Sequence, residues 1–317
     1  MATFKTKKIQ LFIFFIIAFV SILWVFQDIF LKLLVSQKIT EQSILSIEDF
    51  KETAYLEKID NFFLKEYSNE QILLHTIQAD TYYSYKNSPV QIFEVEVKTF
   101  NIDQEEVLLL KSNRAEILKS GEIFFNGEVE ILTKTGILHK LDTESLVVLS
   151  DDGQIKSNEE VTYFGETAII ISEAMEMSID KDTMYLSGNV KILEDSGVKI
   201  DTENLYISHN AGEKKYKSKE ATVYRSKNAI INSDSGMDID MNTQLINLLG
   251  KVEVVSGQGI LKSSNVLIDQ SNDGEILKSN SPSSFKSDTV NIKAKKMYYD
   301  AVTKKLKLMN KVEAFYE

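Results

Sequence analysis

Leu186-Ser187-Gly188-Asn189-Val190-Lys191-Ile192 decides the fold, because the chain repeats it. Phe125-Asn126-Gly127-Glu128-Val129-Glu130-Ile131 precedes it and Leu248-Leu249-Gly250-Lys251-Val252-Glu253-Val254 follows. Their glycines stand 61 and 62 residues apart (188 − 127 and 250 − 188). A degraded copy, Leu308-Met309-Asn310-Lys311-Val312-Glu313-Ala314, comes 60 residues later (310 − 250). Other marks keep the same step: Lys-Ser pairs at 156–157, 217–218 and 278–279, and Met177, Met237 and Met297, each followed three residues on by Asp180, Asp240 or Asp300. Gly136, Gly197 and Gly259 trail the three phrases by nine residues. Independent markers at one period define a repeat.

Each phrase alternates. Val190 and Ile192 point one way, Asn189 and Lys191 the other, and the neighbouring copies do the same. Period-two alternation with a polar outer face is the pattern of a half-buried strand. The glycine at the head of the strand supplies a positive-φ or tight-turn position, as do Asp151-Asp152-Gly153, Asn210-Ala211-Gly212 and Asn272-Asp273-Gly274. Short strands separated by turn signals point to a sandwich, jelly roll or solenoid. One period then holds about six strands, a unit that buries its face by stacking on the next. The expected fold is all-β: an elongated jelly roll or solenoid of units at 59–126, 127–187, 188–249 and 250–309, with a partial unit at 310–317.

The 317 residues are 43% apolar and 26% charged, an ordinary globular composition, with a net charge of −11. That charge argues against nucleic acid, which needs a basic surface. Zero cysteines exclude a disulfide framework and a thiolate metal site. Between Lys8 and Asp28 no residue is charged, and only Gln10, Ser21 and Gln27 are polar. As a helix this run measures roughly 28 Å, enough for a bilayer core of about 30 Å. Lys5, Lys7 and Lys8 precede it, which keeps the N-terminus cytoplasmic and exports the rest. No small-x-small cleavage site follows, so 9–27 reads as an uncleaved transmembrane helix after a cytoplasmic tail of 1–8. Residues 28–58 read as a linker.

His75, His139 and His209 are far apart and match no metal-ligand spacing; surface or edge-strand positions and no cofactor are expected. There is no phosphate loop and no nucleophile elbow. Asp238-Ile239-Asp240-Met241-Asn242 opens like a calcium loop, but Thr243 stands where glycine is needed and Leu249 where glutamate is needed. The recurring Lys-Ser pairs read as turn or edge residues. No catalytic constellation emerges, and the protein is not expected to be an enzyme.

An anchor followed by exported repeats with x-Gly-x-Val-x-Ile strands resembles the LptC family, the membrane-anchored periplasmic components of lipopolysaccharide export. It also resembles the wider LptA/OstA-like jelly-roll group. Ile77-Gln78-Ala79-Asp80-Thr81-Tyr82-Tyr83 resembles the family's early strand, and Val95 to Phe100 the next. Lys111 to Val129 is similar to the segment leading into the first glycine phrase. Asp201-Thr202-Glu203-Asn204-Leu205-Tyr206-Ile207 and Lys217 to Val252 resemble the later strands. The likeness runs from the anchor to about Val254. Ser68-Asn69-Glu70-Gln71 stands where family members carry a turn glycine, and the chain continues for at least one further unit, similar to LptA.

The resemblance implies a single-pass inner-membrane protein with a periplasmic β domain. It implies lipopolysaccharide as cargo, the transmembrane subunits of an ABC transporter as donor and an LptA-like bridge protein as acceptor. A trough lined by Val129, Ile131, Val190, Ile192, Val198, Ile200, Val252 and Val254 would then shield acyl chains. Alternation by itself says only that these residues form a core. Val312, Ala314 and Tyr316 keep the alternation in the degraded copy and are expected to offer an edge strand to the partner. The other reading of the pattern is a membrane-anchored structural or adhesion solenoid with a filled core and no lipid.

Overall fold

The computed structural model describes residues 55–68, 70–134, 140–149, 154–178, 183–210, 213–271 and 274–316. The expected anchor at 9–27, most of the linker, Gly136 and His139 lie outside them. Every described element is a β-strand and the strands pair antiparallel, as the all-β expectation requires. Among the described residues no helix is long and apolar enough to cross a membrane. Two compact units divide the chain, the first within 1–134 plus 143–156 and the second within 135–142 plus 157–317.

In the first unit β1 (Glu57–Tyr67), β2 (Leu73–Ser84), β3 (Val90–Phe100), β4 (Glu106–Ile117) and β5 (Ile123–Thr133) form a meander. The hairpin of β6 (Lys140–Val148) and β7 (Gln154–Ser157) falls mostly with it. Alternation places Leu64, Ile77, Val97, Leu110 and Ile131 in one inner row of successive register partners. The strands bend midway: Asn61 and Glu94 have positive φ, and the β4–β5 register slips between Lys111 and Arg114. At that bulge the buried Ser112 hydroxyl lies 2.8 and 2.9 Å from the carbonyl oxygens of Arg114 and Asn126.

His75 is not at the surface. The inward parity of β2 carries it into the core, 4% exposed, opposite Glu66 on β1 and 3.2 Å from the Thr99 hydroxyl on β3. Burial lowers the imidazole to about 3 and raises the Glu66 carboxyl to about 7. For Glu66 the folded value lies above the ordinary 4.5, so its ionisation opposes folding. Stability is fully present below 4.5 and is lost as pH rises through 7. Glu66→Gln should therefore stabilise β1–β3 at pH 8 by about 2 kcal/mol and change nothing at pH 4. Hydrogen exchange of the β2 amides at the two pH values is the check; an equal effect at both would mean the carboxyl is not desolvated.

The second unit opens with β8 (Val161–Phe164), β9 (Ala168–Ser172), β10 (Ala174–Ser178), β11 (Thr183–Ser187), β12 (Val190–Glu194) and β13 (Lys199–Thr202). Then come β14 (Leu205–Asn210), β15 (Glu213–Ser218), β16 (Thr222–Arg225), β17 (Ile230–Ser233) and β18 (Met237–Asp240). Two long strands follow, β19 (Leu245–Ser256) and β20 (Gly259–Asp269). The last are β21 (Ile276–Ser279), β22 (Ser283–Lys286), β23 (Val290–Ala294), β24 (Lys296–Asp300), β25 (Lys305–Met309) and β26 (Glu313–Tyr316).

These strands form two sheets. One runs β8–β9–β12–β13–β16–β17, then the second half of β19, the first half of β20, β22, β23 and β26. The other runs β10–β11–β14–β15–β18, then the remaining halves of β19 and β20, β21, β24 and β25. The chain alternates between them: a hairpin within one sheet, a sharp bend, a hairpin within the other. One period, from β12 to the first half of β19, thus holds eight short segments rather than about six, because the bend splits what would otherwise be long strands.

All the bends lie along one border, and the glycine phrase is one of them. Gly188 turns the chain from β11 to β12 at φ +80°, and its amide leaves the ladder to donate to Asn204 Oδ1 at 3.3 Å. One period on, Gly250 repeats the contact with Asn265 at 2.9 Å. Buried hydroxyls satisfy the other groups that the bends expose. Thr202 and Ser218 meet at 2.7 Å, Ser263 and Ser283 at 2.8 Å, and Ser279 donates to the Ser264 carbonyl at 2.8 Å. The serines of the recurring Lys-Ser pairs are thus bend residues, buried at 2 to 5% exposure.

Candidate functional site

The faces that the two sheets turn inward are each one unbroken row. In the first sheet Tyr163, Ile170, Ile192, Ile200, Tyr224, Ile231, Val254, Leu261, Phe285, Ile292 and Ala314 are register partners in succession. In the second sheet Met177, Met184, Ile207, Tyr216, Ile239, Ile246, Ile268, Leu277, Tyr299 and Leu306 follow one another likewise. A side-chain period of two, held without a slip from strand to strand, keeps one face apolar throughout.

Six of the residues singled out in the sequence come together in this interior. Val190, Ile192, Val198, Ile200, Val252 and Val254 are buried, at most 6% exposed. Val129 and Ile131 belong to β5 and are buried in the first unit. Ala314 and Tyr316 lie in β26, with Val312 just before it. β26 pairs with β23 and, among the described residues, with no other strand.

A polar set inside the second unit escaped the sequence reading. Tyr163 and Tyr216 share a hydrogen bond across the interior, and Gln270 Nε2 donates to the Tyr224 hydroxyl at 3.0 Å. Burial pushes the Tyr216 phenol up to about 12 and those of Tyr163 and Tyr224 higher still, so all three stay neutral. Burial also raises the Glu194 carboxyl. A signal existed: Tyr163, Tyr224 and Phe285 stand one period apart (224 − 163 and 285 − 224 are both 61). Chemically this is an apolar slab with a few neutral hydroxyls, suited to holding hydrocarbon.

A family model described as lipopolysaccharide-assembly, LptC-related, matches the chain twice, over residues 11–193 and 170–257. No curated protein matches it. The matched span takes in the apolar N-terminal run, the first unit, and the second unit through β19. The family serves lipopolysaccharide transport, is anchored in the inner membrane and works in the periplasm; it is not known for enzymes. With more than half of its length matched, the chain belongs to the LptC-related family of lipopolysaccharide-assembly proteins.

Proposed function

We propose that the protein receives lipopolysaccharide from the transmembrane subunits of an ABC transporter and passes it along its β interior to an LptA-like bridge protein. The two unbroken inner rows carry this reading. An acyl chain crossing water exposes about 0.8 kcal/mol per methylene, on the order of 10 kcal/mol for the whole chain. A lining that is apolar at every strand gives a sliding chain the same surroundings at each step. Residues 9–27 serve as the anchor, 1–8 as a cytoplasmic tail and 28–58 as the linker to repeating units that begin at 59. The residues after 257, beyond the family match, act as a built-in stretch of bridge.

A filled structural solenoid accounts for the low exposure of the lining equally well. Photo-crosslinking in cells separates the two. A photoreactive residue at Val190 or Ile192 should capture lipopolysaccharide, and one at Asn189 or Lys191 should not, because alternation sets them on opposite faces. Capture from both pairs, or from neither, overturns the carrier reading.

A further inference from the structure

The two borders of the second unit are built differently. Along one, the chain itself crosses between the sheets ten times among the described residues, including once within β19 and once within β20. Along the other, the described chain only turns back inside a sheet, so among the described residues no covalent run joins the two. Side chains hold that border instead. Lys214 Nζ lies 2.6 Å from Glu166 Oε1. Ser226 Oγ and Asn228 Nδ2 donate to Glu275 Oε2 at 3.0 and 3.2 Å. Gln258 Nε2 donates to the Lys304 carbonyl at 3.0 Å. In each clasp one partner belongs to the first sheet and the other to the second.

The middle clasp is incomplete. Glu275 is only 7% exposed, and its buried Oε1 makes no hydrogen bond of good geometry, the Tyr224 phenol acting on the carboxyl from the interior side. A buried acceptor left poorly paired costs free energy that hydration returns, so closure is held by groups that lose little on parting. From β9 to β21 the interior behind is sealed, its lining at most 6% exposed, so along that stretch an acyl chain enters from the side only where something yields. Parting the bent border would mean pulling on covalent crossings; parting the clasped one breaks a few polar contacts, partly repaid by water.

We infer that the clasped border is the lateral way in to the interior, with Glu275, Ser226 and Asn228 as a latch that opens to admit an acyl chain from the side. This rests on the carrier reading above. Glu275 is a positioning residue: it holds the sheets together and gives way, and it does not itself bind the chain.

The natural chain has no cysteine, so Asn228→Cys with Glu275→Cys introduces the only two thiols. The detergent-solubilised full chain carrying both is bridged with a short, reductively cleavable bis-maleimide and offered pyrene-labelled lipopolysaccharide. Uptake should fall at least tenfold in the bridged form and return when the bridge is cleaved. Equal uptake before and after cleavage would overturn the lateral route and leave the carrier reading standing, with loading through an end of the rows. No uptake by the unaltered chain would overturn the carrier reading itself, and the latch with it. Should that pair fail to fold, Glu166→Cys with Lys214→Cys spans the same border and is read the same way.

Discussion

Gly236→Ala should destabilise the second unit by about 3–4 kcal/mol, more than the same change at Gly188 or Gly197. All three glycines have positive φ, +96°, +80° and +87°, so each alanine meets the same backbone penalty of roughly 1–2 kcal/mol. They differ in what the new methyl touches. At Gly197 nothing lies within 4 Å. At Gly188 it would crowd the Glu173 side chain, 2.7 Å from its β carbon, and that chain can swing partly aside. At Gly236 it would overlap the Ser218 carbonyl oxygen, with the carbonyl carbon 2.8 Å away. That carbonyl belongs to the bend after β15 and cannot retreat without disturbing the β15–β18 ladder, where Ser218 opposes Met237. The expected losses are therefore about 1 kcal/mol at Gly197, 1–3 at Gly188 and 3–4 at Gly236. Urea unfolding of the three variants measures the order. Equal losses would mean that positive φ alone sets the cost.

That order exposes the limit of reading this fold from its sequence. The glycine phrase announced the period and the strand faces, since Val190, Ile192, Val252 and Val254 all turn inward as their alternation demanded. Gly236 belongs to no phrase, and no repeat marker led to it. Bends at Asn61, Glu94 and Asn265 take positive φ on non-glycine residues, so a search for glycine finds only some of the bends. Hence the short count of strands per period. Serine is equally opaque: Ser157, Ser218 and Ser279 look like turn residues until the carbonyls and hydroxyls around them are placed by strands far along the chain.

The polar contacts were the least legible. His75 is inside because β2 alternates that way and because Thr99, 24 residues on, offers a hydroxyl. Glu275 meets Ser226 and Asn228 across 49 and 47 residues. Local pattern carries no trace of such pairs, whereas an apolar alternation is visible within five residues. The interior could thus be foreseen from the sequence, and what closes it could not.

Deleting residues 310–317 should abolish association with an LptA-like bridge protein while the rest of the unit stays folded. The reason lies in how the inner rows end. In the first sheet Val254 and Leu261 are 2 and 4% exposed, Phe285 and Ile292 are half-buried, and Ala314 is exposed. In the second sheet Leu277 is 0% and Tyr299 4% exposed, whereas Leu306 and Leu308 are half-buried. The apolar slab therefore opens to solvent at β25 and β26. β26 bonds only to β23 among the described residues, so its other edge offers a row of backbone donors and acceptors. Val312 is 51% and Tyr316 83% exposed beside that edge, and covering each is worth about 2 kcal/mol. A strand added by a second jelly roll would extend the first sheet and cover the open end of the slab in one step. Lys311 and Glu313 are the charges that guard the edge, too few to blunt it. The deletion removes β26 and leaves the β22–β23 and β24–β25 hairpins paired, so folding should survive. Copurification and light scattering with the bridge protein, without lipid, report the loss. Unchanged affinity of the shortened chain for its jelly-roll partner would show that β26 is not the docking edge.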